Sequence, residues 1–142
     1  MNNSTKAGTT FILLTLFSLL LFSFKTNNPD CGSVKNGTFH FYKDNGRHHA
    51  IIVRRDSLQT EINTKTLDTS YWRVTWISDC EFTTTFISGT KARSQEDLDF
   101  YKQSTLKFKI SNSSREFYTY HALFSYNNRS KIFSDTMWLQ EK

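Results

Sequence analysis

The sequence predicts an all-β fold, an antiparallel meander of about eight strands forming a strongly curved sheet or a small barrel. Three observations predict it. Aromatic residues make up 15% of the 142-residue chain, while proline occurs once and glycine five times, a balance that suits strands over helices. Apolar residues recur at every second position in short runs, as in Trp72, Val74 and Trp76, which alternate with Arg73 and Thr75. Turn signals such as Asn45-Gly46 separate the runs.

The N-terminus stands apart from this pattern. Phe11 to Phe24 is an uncharged apolar run between Lys6 and Lys25, the length of a signal-peptide core and shorter than the roughly 18 residues of a spanning helix. It lacks the one-sided pattern of a packed surface helix. The small-x-small site expected after a signal core is missing, so an anchor retained at 11–24 is the alternative to cleavage. The expected division is a signal or anchor over 1–26 and a single β domain over 27–142, long enough to bury a core. The expected location is periplasmic or extracellular, with membrane attachment only through that first segment.

Export permits a disulfide, and Cys31 and Cys80 are the only two cysteines. Joining them would close a loop of about 50 residues, worth roughly 4 kcal/mol in the chain-entropy model. Pro29 and Asp30 stand where a lipid-attachment signal at Cys31 needs small apolar residues. The cysteines also lack the Cys-x-x-Cys spacing of a metal site.

The strands follow in order. Gly37–Tyr42 is the first, ended by the turn around Asn45-Gly46. Ala50–Arg54 and Leu58–Asn63 form a hairpin through Asp56-Ser57, pairing Arg55 with Leu58, Val53 with Thr60 and Ile51 with Ile62. That register suggests an apolar core face for these residues and puts Arg54, Gln59 and Glu61 together on the solvent face, where an exposed ion pair contributes about 0 to 1 kcal/mol. The fourth and fifth strands lie within Tyr71–Phe86 and break near Ile77–Asp79. Their alternation buries Trp72, Val74, Trp76, Phe82 and Phe86 on one side, each stabilising by roughly 1.5 to 3 kcal/mol when fully buried. A polar connection, Ser88–Gln103, holds a short helix over Gln95–Tyr101 that covers the sheet as a lid or edge. Thr105–Ser111 points Leu106, Phe108 and Ile110 one way and two lysines the other. Phe117–Tyr126 is aromatic on both faces, and Lys131–Gln140 closes the series.

The order of Cys31, Gly37, Phe39, Arg54, Asp56, Gln59, Glu61, Trp76, Cys80 and Phe82, with the later runs "STLKFKI", "FYTYHALF" and "TMWL", resembles a family of small uncharacterised exported bacterial proteins. The resemblance implies export and a lipocalin-like β-meander, and no established activity.

The net charge of +5 includes Lys6 and Lys25 of the first segment. The remaining basic residues are scattered among acids, which argues against a nucleic-acid partner. His40, Asp44, His48 and His49 are the one local cluster with metal-ligand chemistry; adjacent histidines on a strand face opposite ways, so they read as solvated turn residues. His121 reads as a hydrogen-bonded wall residue. No nucleophile elbow or phosphate loop occurs. The sequons at Asn36, Asn112 and Asn128 matter only in a eukaryotic secretory pathway. No enzyme, metal or cofactor is expected. The aromatic surplus points instead to a binding module for an apolar small molecule, with Trp72, Trp76, Phe108, Tyr118, Tyr120 and Trp138 as candidate ligand-binding residues. The alternative is an envelope protein that docks another protein on its outer sheet face or an edge strand.

Overall fold

The computed structural model describes residues 29–142; the expected signal or anchor segment lies outside them. A single 3₁₀ turn, Gly32–Val34, leads into eight antiparallel strands. These are β1 (Gly37–Lys43), β2 (His48–Arg55), β3 (Leu58–Asn63), β4 (Thr69–Trp76), β5 (Glu81–Gly89), β6 (Thr105–Ser113), β7 (Phe117–Tyr126) and β8 (Arg129–Trp138). One helix, α1 (Gln95–Gln103), interrupts the meander between β5 and β6. The strands close into a barrel in sequence order, β8 returning to β1. That seam is short, with His40 opposite Trp138 and Phe41 opposite Met137, whereas β7 and β8 pair over their whole length from Phe117 opposite Trp138 to Tyr126 opposite Arg129.

The turns form where the chain tolerates a left-handed backbone. Asp44, Asn45 and Gly46 all have positive φ between β1 and β2, as do Asp56 in the two-residue β2–β3 turn and Asn127 and Asn128 between β7 and β8. Gly89 ends β5 at φ +154°, where a Cβ would collide with the Thr69 carbonyl. The chain there must be glycine for β4 and β5 to meet at the rim.

The connections give the barrel two unlike ends. The 3₁₀ turn, the β2–β3 turn, the bend at 77–80 and the β6–β7 turn lie at one end. The β1–β2 turn, residues 64–68, α1 and the β7–β8 turn lie at the other. The first end is packed shut. Val34, Phe39 and Phe82 are buried there, and a disulfide joins Cys31 to Cys80 with their Cα atoms 5.3 Å apart. The bond ties the start of the described chain to the β4–β5 bend, as the two-cysteine count suggests, and it indicates an oxidising, non-cytoplasmic compartment.

The alternation in the fourth and fifth strands sets the core as expected: Trp72, Val74, Phe82 and Phe86 are buried, and Trp76 packs against Phe82. The β2–β3 hairpin is the exception. Its register is the expected one, with Arg54 opposite Gln59, Val53 opposite Thr60 and Ile51 opposite Ile62, but its faces are inverted. Arg54 is 1% and Gln59 2% exposed, together with inward Ile52, while Leu58 on the other face is 44% exposed. The interior of this barrel holds a polar cluster, and β-branched residues cover part of its outside.

Candidate functional site

The inward residues of β2, β3 and β4 build a directed hydrogen-bond chain at the base of the barrel. Arg54 makes no ion pair with a carboxylate among the described residues and spends its donors on neutral acceptors. Its Nε and Nη2 donate to Gln59 Oε1 at 2.9 and 2.8 Å, its Nη1 to the Val34 carbonyl at 2.8 Å, and its Nη2 also to the Tyr118 hydroxyl at 3.3 Å. The guanidinium lies against aromatic rings, 4.4 Å from the Phe82 centroid and 5.2 Å from that of Phe39, contacts that favour a cation taken out of water. Because arginine only donates, Gln59 must turn its oxygen to Arg54 and its amide nitrogen away. That nitrogen donates to Glu61 Oε1 at 2.9 Å.

On β4, Trp72 Nε1 donates to Ser70 Oγ at 2.9 Å, and Ser70 stands opposite Glu61, the residue whose carboxyl accepts from Gln59. Burial pushes that carboxyl above the usual carboxylate range, against the opposing influence of Lys91, Gln59, Arg54 and Ser70. Burial likewise raises the Tyr118 and Tyr120 hydroxyls, Tyr120 with a further push from Asp135, its cross-strand partner on β8.

Above this base the barrel holds a cavity of about 430 Å³. Its wall is apolar through Phe41, Ile52, Leu106, Phe108, Phe133 and Met137, with Arg54, Gln59, Glu61, Tyr118 and Tyr120 as the polar part. The mouth lies at the α1 end, between Lys43, Asp44, His48, Asn63, Asp68 and Lys91. Helix α1 sits beside it. A reciprocal box starts the helix, Ser94 Oγ accepting from Asp97 N–H at 3.0 Å and Asp97 Oδ2 accepting from Ser94 N–H at 3.1 Å. Its Tyr101 stacks on Phe86 at 5.1 Å and meets Trp72 edge-on at 6.1 Å, which packs the helix against the rim.

The candidate ligand-binding aromatics separate into three groups. Phe108, Tyr118 and Tyr120 line the cavity. Trp72 and Trp76 are interior residues packed outside its wall: Trp72 lies between Phe86 and Tyr101, and Trp76 lies against Phe82. Trp138 shares the outer face with Phe117, 5.2 Å away, under the Lys142 ammonium; one residue earlier, Met137 takes the inward position. The polar triad Arg54, Gln59 and Glu61, read from the sequence as solvent-facing, lines the cavity instead. Phe41 and Met137 were missed, and Phe41 was findable from its parity with Phe39 on β1.

The histidine cluster divides as strand parity requires. His40 and His49 share the outer face, Nδ1 to Nε2 3.1 Å apart with Tyr42 stacked on His49, while His48 Nδ1 meets Asp44 Oδ2 at 2.9 Å by the mouth. His121 Nδ1 bonds Ser134 Oγ at 2.6 Å on the outer face. No family model, curated protein or solved structure matches the chain.

Proposed function

We propose that this protein is an exported binding barrel for a small, largely apolar molecule held in the cavity between β1–β3 and β6–β8. The observation that carries this reading is the cavity itself: about 430 Å³ falls in the range of about 300 to 1,000 Å³ typical of ligand sites, with mostly apolar walls and a few convergent polar groups. A barrel filled only by its own side chains would leave no such volume. The disulfide supports the export half of the reading. Docking through an edge strand draws less support, because the two terminal strands pair with each other.

The test is native mass spectrometry and calorimetry of the disulfide-bonded protein against medium-chain alkanols, amines and acids and small aromatic compounds. Binding at one site per chain is expected for at least one class. Leu106→Trp, which places an indole into the cavity, should weaken that binding about tenfold or more. Absence of binding across the series, or full binding by Leu106→Trp, would overturn the reading.

A further inference from the structure

The hydrogen-bond chain at the cavity base has a direction, and the direction selects a ligand. Gln59 presents a donor to Glu61 because Arg54 has taken its oxygen. Gln59 therefore solicits an acceptor, a carboxylate oxygen, at a residue that lines the cavity. Arg54, the obvious partner for an anionic head, already donates four hydrogen bonds to Gln59, Val34 and Tyr118 and is 1% exposed. A ligand carboxylate would have to displace Gln59 to reach it.

We infer that Glu61 is the specificity-determining residue of the cavity and that the ligand is an amphipathic amine, its protonated nitrogen on the Glu61 carboxylate and its apolar body along Phe41, Leu106 and Phe108. The inference rests on the small-molecule reading above. An ammonium would give the Glu61 carboxylate a direct ion pair, which Lys91 and Arg54, acting on it from further away, do not make. Aromatic rings on the same cavity wall, Phe108 and Tyr120 with centroids 5.3 Å apart, favour a cation further. The charged and titratable groups facing Glu61 are Arg54 from β2, Lys91 from the β5–α1 connection, and Tyr118 and Tyr120 from β7. Asp135 adds a second acid on the inward face of β8, opposite Tyr120. At the mouth, Asp68 pairs with Arg93 at 2.7 Å and Asp44 Oδ2 lies 2.9 Å from His48 Nδ1.

At a pH where burial keeps Glu61 protonated, binding the amine as an ion pair should release that proton. The sign follows: below the range in which the free carboxyl ionises, the amine must displace a proton, so its affinity rises with pH until that carboxyl is fully ionised. The experiment is titration calorimetry of the disulfide-bonded protein with decylamine, decanol and decanoate at several pH values and in two buffers of different ionisation enthalpy. Decylamine is expected to bind tightest, with proton release visible as a buffer-dependent enthalpy. Glu61→Gln is expected to weaken decylamine about tenfold or more, to weaken decanol much less, and to remove the proton release. The buffer dependence of the unaltered protein keeps the test decisive should the variant fold poorly. Tighter binding of decanoate than of decylamine, or binding of decylamine without proton release at every pH tested down to the ordinary carboxylate range, would overturn the amine inference while leaving the small-molecule reading standing. Binding of none of the three would remove both.

Discussion

At the residue scale, Arg54 organises the closed end. A buried guanidinium without a carboxylate partner is costly unless its donors are met, and here an amide oxygen, a main-chain carbonyl and a phenol meet them while three aromatic rings flank the charge. Removing the cation leaves those acceptors facing one another in a dry interior. Arg54→Met, similar in length but without donors, should lower unfolding stability by about 3 to 5 kcal/mol. Arg55→Met, one position along on the exposed face, should change it by about 0.5 kcal/mol or less. Urea denaturation of the two variants checks this, and equal effects would mean that the guanidinium contributes nothing beyond its methylenes. The neighbouring parity was legible in part. The alternation around Arg54 shows which residues share a face, but not which face is inside, because Ile51, Val53 and Ile62 make the outer side of the hairpin the more apolar one. The partner strand resolves the ambiguity: Phe39 lies opposite Ile52 and Gly37 opposite Arg54, so the two phenylalanines of β1 mark the inward face.

At the element scale, the strands were legible because period-2 alternation and the Asn and Asp turns are local signals. The boundaries moved by one to three residues: β2 begins at His48 rather than Ala50, β8 runs Arg129–Trp138, and α1 extends to Gln103. Helix α1 has no buried residue, so its place on the rim depends on Phe100 and Tyr101 and on its cap. Phe100 packs 4.7 Å from Tyr126 and 5.8 Å from Phe124. Such an element opens more readily than the strands beneath it. Ser94→Ala removes the cap's acceptor at a cost of about 1 kcal/mol, which should speed amide exchange throughout α1 about fivefold while exchange in β4 and β7 stays as it was. Unchanged exchange in α1 would show that packing of the two aromatics alone holds the helix.

At the scale of the whole molecule, closure was the least legible feature, because the β1–β8 seam joins residues nearly a hundred positions apart and no local pattern records that pairing. The same holds for the cavity, which depends on how many inward side chains stop short of the axis. The disulfide is the exception, a long-range contact implied by a count of two. Cys80→Ala should lower stability by about 2 to 5 kcal/mol and leave the first described residues loose at the closed end; an unchanged urea midpoint would show that the 3₁₀ turn and Arg54 hold that end without it. The polarity of the barrel also bears on handling the protein. The chain enters β1 at the sealed end, opposite the mouth, whereas the C-terminal residue returns along the outside, Lys142 N–H donating to the Tyr42 hydroxyl at 2.9 Å, beside the β1–β2 turn that borders the opening. A surface or fluorophore coupled ahead of Cys31 therefore faces away from the aperture, and the same attachment after Lys142 would crowd it.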